Sequence, residues 1–439
     1  MESRMNEVAG RRWGRVISLC LLLVYSLAAG TSQAGPGKDG GKCEGTKKQR
    51  KQKMEKRDTT AEQLDEMIDQ YRQTIRSDRA AKERKAVGRL QRKYQAHQET
   101  GEPFVFDILV ISGGGAKGAF GAGVLAGWGT VTSGPFARPR FDMVTGVSTG
   151  ALVAPFAYIG TDDMYTSVVE FYANPEPNWV RKRGAIIFMP NHVSMYNNCH
   201  LQDAIREGID QDMIEAMAEA HAEDRLLLIG TTNLDVGAGR VFELGQEAQR
   251  ALENGDNKRL HDILLASSAL PGAFPPVPMD GLLYADGGAA SNLFIGAFPG
   301  PEGPLNQFLR KHPEAPKPKI RVWVLVNQKL KPDHVVTQPR WISVAGRALN
   351  TLTASSQLFA LALIRDMVHE AGAERGIDAE LHFISIPADA PKSETKEMFD
   401  REYMVQLEEL GRTMGANPDS WHDQVPSAYT VEGNWIADE

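Results

Sequence analysis

FVFDILVISGGGAKG, running from Phe104 to Gly118, changes character half-way along. Phe104 to Ile111 is rich in β-branched and aromatic side chains and reads as a buried strand. It runs straight into Gly113, Gly114 and Gly115, then Ala116, Lys117 and Gly118. A strand that ends in backbone without side chains makes a turn with bare N–H groups at the start of a helix, and such a turn receives negative charge. A second turn of this kind carries Ser148, 35 residues after Gly113. The strand candidate Phe141 to Val144 leads into Thr145-Gly146-Val147-Ser148-Thr149-Gly150, and an apolar run from Ala151 to Tyr158 follows. Gly-x-Ser-x-Gly between a strand and a helix is a nucleophile elbow, a sharp turn that pushes the serine hydroxyl out at the end of a sheet. A third glycine turn, Asp286-Gly287-Gly288, follows the apolar Leu282 to Tyr284.

The rest of the chain is organised around these turns. Residues 1–34 read as a signal peptide: Arg4, Arg11, Arg12 and Arg15 precede an apolar run from Val16 to Ala29, with small residues at Ser32 and Ala34. Cleavage is expected before Gly35, which places the protein in the periplasm, at the envelope or outside the cell; an uncleaved anchor is the alternative. Without that segment, Cys43 and Cys199 allow at most one disulfide.

Residues 35–100 hold 18 Lys/Arg against 11 Asp/Glu, a charge of +7, whereas residues 101–439 carry −16. A basic run from Lys47 to Arg57 precedes a capping-box candidate, Thr59 with Glu62. Leu64, Met67, Ile68, Tyr71 and Ile75 then fall at helical spacing, after which the apolar face thins out. Two readings of this extension stand: a basic arm for anionic lipid headgroups, or a charged helix docked on its own acidic domain. Beyond residue 100, strand-like runs at 225–230, 240–244 and 320–326 alternate with helical ones at 257–270, 341–373 and 393–413. That alternation predicts an α/β fold, a three-layer sandwich with a mostly parallel central sheet and helices on both faces. A catalytic domain is expected over 101–330, with helices and a strand from 331–439 packed on it.

Gly113-x-Gly115-x-x-Gly118 alone also fits a dinucleotide fold. That fold asks for an acidic residue at the end of the second strand, roughly 20 residues on. Here Asp142 begins that strand and the Ser148 elbow ends it, so a nucleophile stands where the acid belongs. Three turns of complementary chemistry suit a different reaction. A serine on a strained elbow needs a base for its proton and donors for the oxyanion it creates. Asp286 can supply the first and the Gly113–Gly115 backbone the second.

With these residues in the order Gly113 to Gly118, Gly146 to Gly150 and Asp286 to Gly288, the chain resembles the patatin-like phospholipases. The run Ala266 to Val277 (ASSALPGAFPPV) also looks like the segment before that family's aspartate. The resemblance covers about 105–330. Ser112 departs from it, since many members carry an acidic residue there. What it implies is a lipid acyl hydrolase with a Ser–Asp dyad: Ser148 as nucleophile, Asp286 as base, and Gly113, Gly114 and Gly115 around the oxyanion hole. It further implies a lipid or phospholipid substrate, peripheral membrane contact, no nucleic-acid partner, and no cofactor or metal. Lys117 stands inside the motif either as a bias toward anionic substrates or as a surface charge. A carboxyl with the usual pKa of about 3.9 is a poor base for serine, so the dyad needs a direct hydrogen bond, desolvation, or both.

Two rivals share the elbow. A Ser–His–Asp esterase would recruit His334, His369, His382 or His422, none of which sits in a distinctive turn, while His192 and His200 lie in a stretch, 190–201, that suits a lid. A catalytically silent binding module would keep the fold without the chemistry.

Overall fold

The structure, a computed structural model, describes residues 59–173 and 194–426 apart from 297, 299, 301, 332 and 396, together with Arg181 and Lys182. The signal segment, the basic run at 47–57, Cys43 and His192 lie outside the described residues.

The elements run α1 (Ala61–Thr100), β1 (Val105–Ile111), α2 (Gly118–Trp128), β2 (Met143–Val147), α3 (Thr149–Ile159), α4 (Asp162–Ala173) and the short pair β3 (Arg181–Lys182) and β4 (Tyr196–Asn197). Then come α5 (Cys199–Gly208), α6 (Gln211–Ala222), β5 (Leu226–Asn233), β6 (Ala238–Glu243), α7 (Leu244–Asn254) and α8 (Lys258–Ser267). The last are β7 (Val277–Met279), β8 (Leu282–Asp286), α9 (Pro304–Lys311), β9 (Lys319–Val326), α10 (Trp341–Arg375), β10 (Ala379–Ser385) and α11 (Arg401–Gly415).

Among the described residues the main sheet has eight strands in the order β10-β9-β1-β2-β5-β8-β7, with β6 also paired to β5. From β10 to β5 the pairing is parallel, as the alternation of strands and helices requires. The strand expected in the C-terminal region, β10, is the edge of this same sheet. β6 answers to the run expected at 240–244, but the antiparallel pairing of β6, β7 and β8 is not signalled by periodicity. These strands are short, and their pairings depend on chain reversals rather than on crossover helices.

Side chains alternate across the central strands and divide the core in two. From β1, Phe106, Ile108 and Val110 enter one layer with Leu90 of α1, Phe308 of α9 and Ile364 of α10. Leu109 and Ile111 enter the other, with Phe120, Val153, Ile214 and Leu407 from four helices. The one polar side chain inside β1, Asp107, is held by Arg321 at 2.8 and 2.9 Å and by the Trp323 indole N–H at 3.0 Å.

The described part of the N-terminal extension forms one helix that packs on the domain. Its capping box is Thr60 with Gln63, one residue later than expected; Thr60 satisfies the same spacing and has the extended backbone a cap requires. Its apolar face does not thin out after Ile75, because Ala86, Val87, Leu90 and Tyr94 continue it beneath flanking charges. Arg89 and Lys93 reach the buried Asp142 at 2.7 and 2.6 Å, and Arg92 reaches Asp224 at 2.6 Å. The described part of the extension is thus a charged helix docked on its own acidic domain. The helix expected over 393–413 starts later, at Arg401, where the Asp400 carboxylate accepts the Tyr403 N–H.

Candidate active site

Strand pairing brings the second and third glycine turns together. β6 covers one edge of β5 from Leu228 to Asn233. The other edge is shared: β2 pairs with it as far as Val147 opposite Gly230, and β8 takes over with Asp286 opposite Thr231. β2 runs parallel to β5 and β8 antiparallel, so the two strands meet head to head. The residue just past β2 is Ser148, and the last residue of β8 is Asp286.

Ser148 has φ 55° and ψ −126°, the left-handed conformation a serine avoids unless its surroundings impose it. Here they do. The Ser148 N–H donates to Ser267 Oγ at 3.0 Å, and that hydroxyl donates to the Gly230 carbonyl at 2.7 Å. The Ser268 hydroxyl donates to the Ser148 carbonyl at 3.4 Å. Gly146 and Gly150 face each other across the elbow, and a Cβ on Gly150 would strike the carbonyls of Ile111 and Ser112 at the end of β1.

Asp286 is buried, with its backbone fixed on both sides. Its N–H donates to the Ala269 carbonyl at 2.9 Å, and its carbonyl accepts the Thr232 hydroxyl at 2.8 Å. Oδ1 accepts the Gly288 N–H at 2.8 Å, and the Ser148 side chain faces the carboxyl. Burial pushes the Asp286 pKa from 3.8 up to about 6, against Ser148 and the Gly288 N–H, which hold it down. The desolvation that such a dyad calls for is present. Gly287 presses on the Gly230 carbonyl, where no side chain fits.

At the first turn, Gly113 is buried behind the serine; a Cβ there would lie 2.9 Å from the Ser148 Cβ. Gly114 and Gly115 face the cavity that Ser148 and Asp286 also line. Gly115 sits at φ 59°, and a 3-10 turn from Gly115 to Lys117 leads into α2 at Gly118, which packs on Thr149 and Tyr172. Among the described residues, the N–H groups of Gly113, Gly114 and Gly115 donate to no other group. Those of Gly114 and Gly115 are the free donors beside the nucleophile. Ser112 ties this turn down: its hydroxyl donates to the Gly113 carbonyl at 2.9 Å and accepts the Asn327 N–H at 2.8 Å. An acidic residue is not needed for that task.

The cavity has a volume of about 610 Å³. Leu152, Phe171, Leu201, Leu270 and Phe274 give it apolar walls, while Lys117, Lys329, Arg347 and Lys392 contribute cations and Asp333, Glu397 and Asp400 anions. Lys117 is half-buried, and burial together with the nearby Lys329 pulls its pKa below the usual lysine value. Asp333 binds Lys329 at 3.2 Å and Lys392 at 3.1 Å. No histidine among the described residues lines the cavity. His200 belongs to α5, His369 to α10, and His382 to β10, where it faces Glu380 at 3.4 Å.

Sequence reasoning missed three supporting groups. Ser267 and Ser268 lie within the ASSALPGAFPPV run, but nothing in their spacing assigns them to the elbow. Asn292 is buried beside Gly113 and donates to Gln357 Oε1 at 2.8 Å, which connects the site to α10. Its only signal is proximity to the Asp286 turn.

Residues 109–299 match the family model described as patatin-like phospholipase. Over 203 residues the chain is 26% identical to a cGAMP-activated phospholipase of Pseudomonas aeruginosa (strain BWHPSA011 / Pa011). That match takes in 44% of this chain and 55% of the relative, so it spans about half of the relative's length. Among solved structures, VipD from Legionella pneumophila is similar at 13% identity and a TM-score of 0.31, with 73% of this chain and 68% of that chain covered. At that score the likeness carries no weight, and the family likeness rests on the matched residues and their motifs. The domain that holds Ser148 and Asp286, residues 109–299, is patatin-like.

Proposed function

We propose that the protein is a serine acyl hydrolase that cleaves lipid or phospholipid acyl esters through a Ser148–Asp286 dyad. The observation that carries this is a serine in a left-handed elbow, facing a buried aspartate, at a cavity with apolar walls. Ser148 Oγ attacks the ester carbonyl while its proton passes to Asp286. The carbonyl oxygen, now negative, takes hydrogen bonds from the Gly114 and Gly115 N–H groups. As the tetrahedral intermediate collapses, the C–O bond to the alcohol breaks and Asp286 returns the proton to the leaving oxygen. Water then attacks the acyl-enzyme with Asp286 again as base, which releases the fatty acid and restores Ser148.

Every step uses groups of this chain, with no metal role. Purified protein should release free fatty acid from a panel of phospholipid and lysophospholipid esters, and the rate should persist in excess chelator. Failure to hydrolyse any ester of the panel would sink the proposal. Loss in chelator that one divalent ion restores would sink the metal-free mechanism.

Export through residues 1–34 is part of the same proposal, supported by the arginines before the apolar run and the small residues at Ser32 and Ala34. N-terminal sequencing of protein from the native host should find Gly35 or a close neighbour. An intact Met1 on a membrane-bound species would replace cleavage with an anchor.

A further inference from the structure

The first half of α10 is an exposed helix with almost no charge. From Trp341 to Leu363 it reads WISVAGRALNTLTASSQLFALAL, in which Arg347 is the only charged residue. Trp341, Val344, Leu352, Phe359 and Leu363 are 67, 51, 67, 38 and 61% exposed. With the exposed Ala345, Ala348 and Ser355 they recur every three or four residues, which makes one continuous stripe. The loop before the helix adds Val335 and Val336, at 62 and 86% exposure. The side chains by which α10 joins the core start only at Gln357 and continue with Leu361, Ile364, Val368 and Ala371. The earlier turns therefore present apolar surface without serving the fold, and a patch of this size marks an interaction site.

Its position says what covers it. Val335, Arg347, Leu349 and Thr353, from this same loop and helix, line the cavity of Ser148. The apolar stripe and the mouth of the cavity form one surface. Arg347, Lys117, Lys329 and Lys392 share that mouth with Asp333, Glu397 and Asp400, so its charges nearly balance. A second copy or any other protein partner seated here would cover the opening to Ser148. A bilayer does not: it takes up the apolar stripe, and its acyl chains stand at the opening. No helix among the described residues is long and apolar enough to cross a membrane. The far side of α10 is committed to the core, so this helix lies in the interface plane, with Trp341 at headgroup depth.

We propose that the stripe Val336–Trp341–Leu352–Leu363 docks the protein on the surface of a phospholipid bilayer and sets the Ser148 cavity over it. Docking itself does not depend on turnover; its role in substrate delivery rests on the hydrolase reading above. The test therefore uses full-length Ser148→Ala protein, floated with phosphatidylcholine vesicles. It should float with the vesicles. Adding Val336→Asp, Trp341→Asp and Leu352→Asp should cut the bound fraction by about tenfold or more. All three positions are exposed, and an unchanged thermal transition would establish that the fold survives. With Ser148 restored, the triple variant should hydrolyse a monomeric short-chain ester at the wild-type rate and vesicle lipid at roughly a tenth of it.

Absence of vesicle binding by the Ser148→Ala protein, or equal binding by the triple variant, would overturn the proposal. So would a lipid-free dimer that the aspartates dissociate, since the face would then belong to a second copy. Vesicle binding without hydrolysis of any ester would leave docking standing and remove the hydrolase reading instead.

Discussion

Ser148→Ala should leave no measurable acyl transfer, with a thermal transition shifted by a few degrees at most. The variant loses the oxygen that the proposed mechanism places on the acyl group, while the elbow that holds it is untouched. Its N–H bond to Ser267 and the bond from Ser268 to its carbonyl are made by the backbone and do not need the hydroxyl. Removing the hydroxyl also takes away one of the two groups that hold the Asp286 pKa down, so the carboxyl should titrate still higher than about 6. A buried carboxyl free to take up a proton near neutrality avoids most of the cost of an uncompensated charge. Substantial ester turnover by a folded Ser148→Ala protein would exclude the elbow as the reaction centre.

Asp286→Asn should lower turnover by a factor on the order of a hundred or more, the usual scale for losing a general base. The amide has the volume of the carboxyl and can still accept the Gly288 N–H, but it takes no proton. For the wild type, kcat/KM should rise with pH as Asp286 ionises near pH 6 and then level off. The effect on stability has the opposite sign. Asp286 titrates at about 6 in the fold and at 3.8 when unperturbed, so the folded chain holds this proton more tightly than the unfolded one. Stability from this group is greatest below pH 4, falls as pH rises from about 4 to 6, and stays reduced above that, by roughly 3 kcal/mol. Asp286→Asn should consequently melt higher than the wild type at pH 8, with the gap closing toward pH 4. Thermal melts across that range, beside the kinetics, check both halves. A variant that kept wild-type turnover while one His→Ala substitution abolished it would favour a histidine mechanism.

The parts of this molecule that repeat a periodicity were legible in its sequence. Phe104 to Ile111 and Ile320 to Val326 are saturated with β-formers because both faces of a central parallel strand are buried, and both lie in the middle of the sheet. The Ser148 elbow and the Asp286 turn were legible for another reason. Backbones approach so closely at Gly146, Gly150 and Gly287 that only glycine fits, and glycines leave a visible pattern. What brings the two turns together was not legible. It depends on β8 pairing with β5 just where β2 stops, a register that no local pattern encodes. Ser267 and Asn292 were missed because they act through ordinary hydrogen bonds, to backbone and to another side chain, which any small polar residue at a favourable place can make. The exposed face of α10 hid in plain composition: its residues are ordinary helix formers, and only their exposure sets them apart.

A reactive-serine probe read by mass spectrometry tests the dyad most directly. A fluorophosphonate ester should add once to the intact protein, and the adduct should map to Ser148. The labelling rate should climb with pH through about 6 as Asp286 ionises, and it should fall steeply in folded Asp286→Asn protein. No adduct, an adduct on another residue, or labelling of Ser148 that ignores both pH and Asp286→Asn would contradict the dyad.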